Sequence, residues 1–186
     1  MSEKISPKQF LLVGLLLIAA FSRLIPHPPN FTALGAMALF GGAYICSRFM
    51  VLLLPLGALW FSDIFLNNMV YSEFYDGFVL FPTGHIWVYA SFILITLLAR
   101  ILLTSVNMRS VGLSGFSAAL IFYLVSNFGV WTGGIMYPLT LDGLLTCYIA
   151  GLPFFGWTLL GNTFYCTVLF GCFELASKKI PVLQIR

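Results

Sequence analysis

Asp63 stands inside an apolar run at about 49–67, and Arg23 closes another at about 10–25. A carboxylate costs about 2.5–3.5 kcal/mol at the centre of a membrane-spanning helix and less near its ends. It therefore faces inward and takes a partner. Two kinds of chemistry are open to the pair. Asp63 and Arg23 can contact a polar ligand, or they can form an ion pair that ties two helices together. Asn127 and Asn162 are amides within further apolar runs. An amide there either hydrogen-bonds a neighbouring helix or orients a solute. His27 and Asn30 follow Arg23 in the stiff linker Pro26-His27-Pro28-Pro29-Asn30. A linker histidine can touch a ligand, bind a metal, relay a proton or cap backbone groups. A metal site needs three or four good ligands, and His27 and His85 are the only two histidines. No metal or other cofactor is expected. Trp131, Tyr137 and Tyr148 fall at the ends of apolar runs, where they form an aromatic belt or line a pocket.

Catalytic patterns are missing from the sequence. There is no Gly-x-x-x-x-Gly-Lys-Ser/Thr phosphate loop and no His-Glu-x-x-His helix. Ser114 in Gly112-Leu113-Ser114-Gly115 has small neighbours, but both histidines belong to the opposite membrane face, so no base can reach it. The chain is not expected to be an enzyme.

The elements that must position these residues follow from hydropathy. Charged residues make up 8% of the chain and hydrophobic ones 60%, with mean hydropathy +1.00. A soluble domain carries roughly 25% charged residues, so a bilayer is the expected solvent. A span needs about 20 apolar residues. The 186 residues then hold one domain of six spans, at about 10–25, 32–46, 49–67, 84–104, 112–131 and 154–176. The expected fold is all-α, a polytopic membrane bundle of six transmembrane helices. Ser6-Pro7-Lys8-Gln9 reads as a helix start, so the first run is taken as a retained span and not as a signal peptide. The second span is rich in small residues that let backbones approach closely. Residues 68–83 form a long aromatic loop, expected at the interface or over the helix ends. Residues 138–152 suggest a short amphipathic or re-entrant helix ended by Pro153. Cys46 and Cys147 fall near opposite faces, and Cys166 and Cys172 point to different sides of one helix, so no disulfide framework is expected.

Six spans with the N-terminus inside put Lys4, Lys8, Arg48, Arg100, Arg109, Lys178, Lys179 and Arg186 on the inner face, eight of the nine basic residues. Only Arg23 falls outside, with Glu73, Asp76 and Asp142 in the outer loops. This is a positive-inside pattern with both ends cytoplasmic; the net charge of +3 marks topology and implies no nucleic-acid partner. In that frame Arg23, His27, Asn30, Asp63, His85, Asn127, Trp131, Tyr137 and Asn162 all belong to the outer half, while the inner half reads as almost purely apolar. Hydrogen-bonding groups gathered at one face suggest a binding pocket open to the outside.

Two runs carry a resemblance. The first is Arg23-Leu24-Ile25-Pro26-His27-Pro28-Pro29-Asn30-Phe31-Thr32, followed by Gly35-Ala36-Met37-Ala38-Leu39-Phe40-Gly41-Gly42-Ala43. The second is Ser126-Asn127-Phe128-Gly129-Val130-Trp131, then Tyr137-Pro138, Thr140, Gly143-Leu144 and Pro153-Phe154-Phe155. Together they resemble an uncharacterised family of small bacterial membrane proteins described as transport proteins. That family more distantly resembles the substrate-binding (S) components of energy-coupling factor transporters. The resemblance implies a six-helix bundle in the bacterial cytoplasmic (inner) membrane with an outward solute pocket. It also implies a membrane coupling subunit and two ATPases as partners. Where S components often carry Ala-x-x-x-Ala on the first helix, this chain has Gly14 and Ile18. Where they often carry an acidic residue, it has Asn162. The expected function is transport, with Arg23, Asp63, Asn127 and Asn162 orienting a small polar solute, Trp131 and Tyr137 stacking on it, and His27 and Asn30 of the outer linker counted among the binding residues. The alternative is a structural scaffold in which Asp63–Arg23 is a staple and side chains fill the pocket.

Overall fold

A computed structural model describes residues 7–45, 47, 49–82 and 84–180, and everything below concerns those residues. Lys4, Ser6, Cys46, Arg48 and Arg186 lie outside them. Six α-helices follow one another: α1 (Pro7–Phe21), α2 (Leu34–Tyr44), α3 (Met50–Phe65), α4 (His85–Leu102), α5 (Met108–Thr132) and α6 (Leu141–Lys179). No strand occurs among the described residues. Five of the helices are long and apolar enough to cross a membrane, counting the short helical turns that extend α1 to Leu24 and α3 to Val70.

The ends of the helices follow local chemistry. Pro7 opens α1, where its missing N–H costs nothing. Ile25 is extended, with ψ 135°, because the residue before a proline is driven out of the helical region. Asn107 opens α5 through a reciprocal cap with Ser110. Thr140 caps α6 by accepting from Gly143 N at 3.1 Å.

α2 differs from the expected second span. It has 11 residues, about 17 Å of rise against a hydrocarbon core of about 30 Å. It packs against every other α-helix, and all residues from Leu34 to Gly41 are buried. A helix that is apolar all round belongs inside. Phe40 meets the rings of Tyr44, Phe170 and Phe173 edge-on. The chain above α2 is not helical: Phe31 N bonds Pro28 O and Thr32 N bonds Asn30 O, with Asn30 at φ 65°. The backbone at Phe31 and Thr32 presses on Gly161 of α6.

α6 also differs. The expected break at Pro153 does not occur, and one helix of 39 residues runs through it. The stretch before Pro153 is held to α5 instead. Tyr123 donates to Tyr148 O at 2.6 Å, Tyr148 to Leu124 O at 2.8 Å, and Cys147 Sγ to Asn127 O at 3.3 Å. These contacts compensate the hydrogen bond a helical proline removes. The aromatic loop after α3 is pinned at its root, where Asn68 donates to Val79 O at 2.8 Å and accepts from Val79 N at 2.7 Å. Its tip, including Tyr71, Phe74 and Phe78, is exposed.

The helices alternate in direction, so Lys8, Arg100, Arg109, Lys178 and Lys179 share one end of the bundle. That end is closed by Arg100 donating to Ile45 O at 3.1 Å and by Tyr44 donating to Glu174. Arg23, Asp63 and His85 belong to the opposite end.

Candidate functional site

Arg23 sits in the tight turn that follows α1, just before the proline linker. From there its Nη1 reaches α3, donating to Asp63 Oδ1 at 2.7 Å, to Leu59 O at 3.3 Å and to Ser62 Oγ. Ser62 Oγ in turn donates to Leu59 O at 2.8 Å. Asp63 Oδ2 is buried without a hydrogen bond, and His85 Nε2 at the start of α4 stands 3.7 Å from it. One carboxylate thus joins three elements. Exposure is graded: 4% for the Asp63 side chain, 15% for Arg23 and 31% for His85. The anion is innermost and the two basic groups lie between it and the open side.

Beneath them lies a cavity of about 170 Å³. Its polar border is Arg23, Asn30, Thr32, His85, Thr158 and Asn162, and its apolar wall includes Leu34, Leu59, Val88, Phe92, Ile95 and Phe122. A cavity of about 150 Å³ holds a benzene ring, so the volume suits a single-ring solute. The non-helical stretch between Pro28 and Ala33 has a reason here. Irregular backbone at membrane depth is tolerated where it is buried in protein or lines a cavity, and Asn30 and Thr32 line this one.

Asn162 closes the floor. It is 2% exposed, and its Nδ2 donates to Gly115 O at 3.2 Å. Gly35 on α2 has no Cβ because the Asn162 amide occupies that space. Asn162 also borders a second groove of about 470 Å³ between α5 and α6, lined by Thr163, Thr167, Glu174 and Lys178 among others. The half of the bundle that reads as almost purely apolar therefore carries a polar stripe along α6.

Of the residues singled out from sequence, Arg23, Asn30 and Asn162 border the cavity and Asp63 backs it. Four others lie elsewhere. Asn127 donates to Tyr123 O at 2.8 Å and packs against Gly151 of α6. Trp131 donates to Pro138 O at 3.0 Å and so closes the α5–α6 connection, where Tyr137 is half-buried. The reason is helical phase. α5 turns Ala118 and Phe122 to the cavity; at about 100° per residue, Asn127 points about 140° and Trp131 about 180° away from Phe122. His27 turns its Nδ1 to Ile25 O at 2.6 Å, within the linker itself. Thr32, Thr158 and His85 border the cavity although the sequence does not mark them as binding residues. His85 has a signal: it begins α4 at the level of Asp63. The two threonines have none.

No three of His, Cys, Asp or Glu come together among the described residues. Ser114 is buried and its Oγ has no hydrogen-bond partner.

A bundle of apolar helices around a small cavity with a polar border defines a multi-pass helical membrane protein with an internal solute-sized site. Over residues 3–183 the chain matches a family described as a family of unknown function (DUF6580), and it belongs to that family. No curated protein and no solved structure matches it.

Proposed function

We propose that this protein is a membrane transport protein that binds a small polar solute in the cavity beneath Arg23 and His85. The observation that carries this reading is the cavity itself: polar at its border, apolar along its wall, and entered beside backbone that has left helical geometry. Ligand sites are built this way. In membrane transporters, broken helices at such a point commonly form the binding site. The concentration of cations at the Arg100 end favours that end facing the cytoplasm. The cavity end then faces outward across a bacterial inner membrane.

The resemblance to S components supports the same reading and adds partners. A separate membrane subunit with two ATPases would supply the energy, docking through the bilayer. Gly14 of α1, with open space over its Cα, lies on the surface such a partner would meet.

One observation favours a second reading. Asp63 of α3 accepts its one hydrogen bond from Arg23, in the turn that ends α1, and does not border the cavity. In a scaffold with no solute it would serve as a staple between those helices.

A thermal-shift screen of the purified chain against vitamins, nucleobases and small organic acids and bases separates the two. Solute binding predicts a hit that raises the melting temperature, with affinity reduced at least about tenfold by Asn162→Ala, the loss of roughly one buried hydrogen bond. A screen with no hit, beside a membrane partner that copurifies, would leave the scaffold.

A further inference from the structure

We propose that the cavity takes a small monocarboxylate, one carboxylate on a single ring or short branched apolar body. This rests on the cavity being a solute site and names the class of solute.

The argument begins with charge placement. Asp63 lies behind the cavity, with Oδ1 accepting from Arg23 and Oδ2, which has no hydrogen bond, 3.7 Å from His85 Nε2, while Arg23 and His85 border the space. Among the described residues no Asp, Glu or Lys lines the space. A solute therefore meets the basic side of the cluster. Arg23 makes all its bonds to the protein through Nη1. A guanidinium carries five N–H groups in a planar fork, so those on Nη2 and Nε are without a partner among the described residues. A planar carboxylate matches that fork. A neutral solute offers those donors a weaker, uncharged acceptor, and a cation would face like charge.

The adjoining wall agrees. α2 begins at Leu34 and Gly35, which line the cavity, and Ala33 before them supplies no side-chain cap. The free N–H groups of a first helical turn carry partial positive charge. This adds to Arg23 and His85 and does not replace them.

Size and polarity set the rest of the molecule. Phe92, Ile95 and Phe122 make an apolar wall, suited to a hydrocarbon body. The volume of about 170 Å³ admits one ring with a small polar group, since a cavity of about 150 Å³ already holds a benzene ring. Asn162 and Thr158 at the floor can hydrogen-bond one further polar atom.

Benzoate is the direct probe, with benzamide as its neutral isostere and benzylamine as the cation. Each is titrated calorimetrically into the full chain in detergent. Benzoate is expected to bind at least about tenfold more tightly than benzamide, the size of one charge-assisted hydrogen bond, and benzylamine not at all. His85→Gln, at a partly exposed position, should weaken benzoate about tenfold and benzamide less, so that the preference for benzoate over benzamide narrows. Arg23→Lys keeps the charge beside Asp63 but loses the fork, and should weaken benzoate as well. Equal affinity for benzamide, or preference for benzylamine, would overturn the carboxylate assignment and leave the cavity a solute site of another kind. Binding of none of the three also overturns it, and the wider screen then decides separately whether the cavity binds any solute.

Discussion

Replacing Asp63 with alanine is expected to destabilise the protein by about 3 kcal/mol, the lower end of what removing one partner from a buried ion pair costs. The figure follows from what would be left behind. Arg23 is 15% exposed and would keep only Leu59 O and Ser62 Oγ as acceptors. Its charge would be unmatched in an apolar bundle, and His85 would lose the carboxylate 3.7 Å away. Arg23 can relax partly, because a long basic side chain turns its head toward water; that keeps the loss from reaching the upper end of the range. The double variant Asp63→Leu with Arg23→Met should recover most of the stability, since apolar replacements of a whole buried pair are often neutral or better. Melting temperatures of the unsubstituted chain, the two single variants and the double variant in one detergent complete the cycle, with a fall on the order of 10 °C expected for Asp63→Ala. Coincident melting of Asp63→Ala and the unsubstituted chain would show that Arg23 does not depend on Asp63. The double variant also probes function: a staple alone would be replaced without loss, whereas a solute site would lose its ligand.

The pair is legible in the sequence because membrane depth is a one-dimensional quantity. Counting residues from a helix end places Asp63 and Arg23 at one level, and insertion cost forces them together. The same count finds Asn30 and Asn162. Angle around the helix axis is harder. Asn127 and Trp131 lie at the right end of the bundle, but α5 turns them toward α6, and nothing in the local sequence fixes that rotation. Pro153 misleads for a related reason. A proline ends a helix that stands alone, yet Tyr123, Tyr148 and Cys147 hold the preceding turns against α5 and let the helix run on. The shortness of α2 is hidden too. Its small residues mark close packing in either case, and only the crowding of Phe31 and Thr32 against Gly161 shows that the chain enters the bundle before it becomes helical.

Close packing of α2 also yields a sharp test of how the cavity is held open. Gly42→Ala is expected to lower stability by about 1–2 kcal/mol, although alanine is the better helix former. The gain in helix propensity is about 1 kcal/mol. Against it, a Cβ at position 42 would stand 2.5 Å from Ala99 Cβ and 3.1 Å from Thr96 O on α4. Neither neighbour is the end of a flexible side chain, so the methyl fits only if two helices separate. Overpacking of this kind costs about 1–3 kcal/mol, and in this central seam we expect the upper part of that range to apply. Ala99→Gly removes the nearer obstacle, so Gly42→Ala with Ala99→Gly should melt above Gly42→Ala alone, despite glycine's poorer propensity in α4. The rescue should be partial because Thr96 O remains. α2 and α4 also supply Leu34, Gly35, Val88, Phe92 and Ile95 to the cavity, so prising them apart should weaken any bound solute in Gly42→Ala and restore it in the double variant. If Gly42→Ala instead raised the melting temperature, the α2–α4 seam would have room to yield. The cavity's shape would then depend on α6 and the linker.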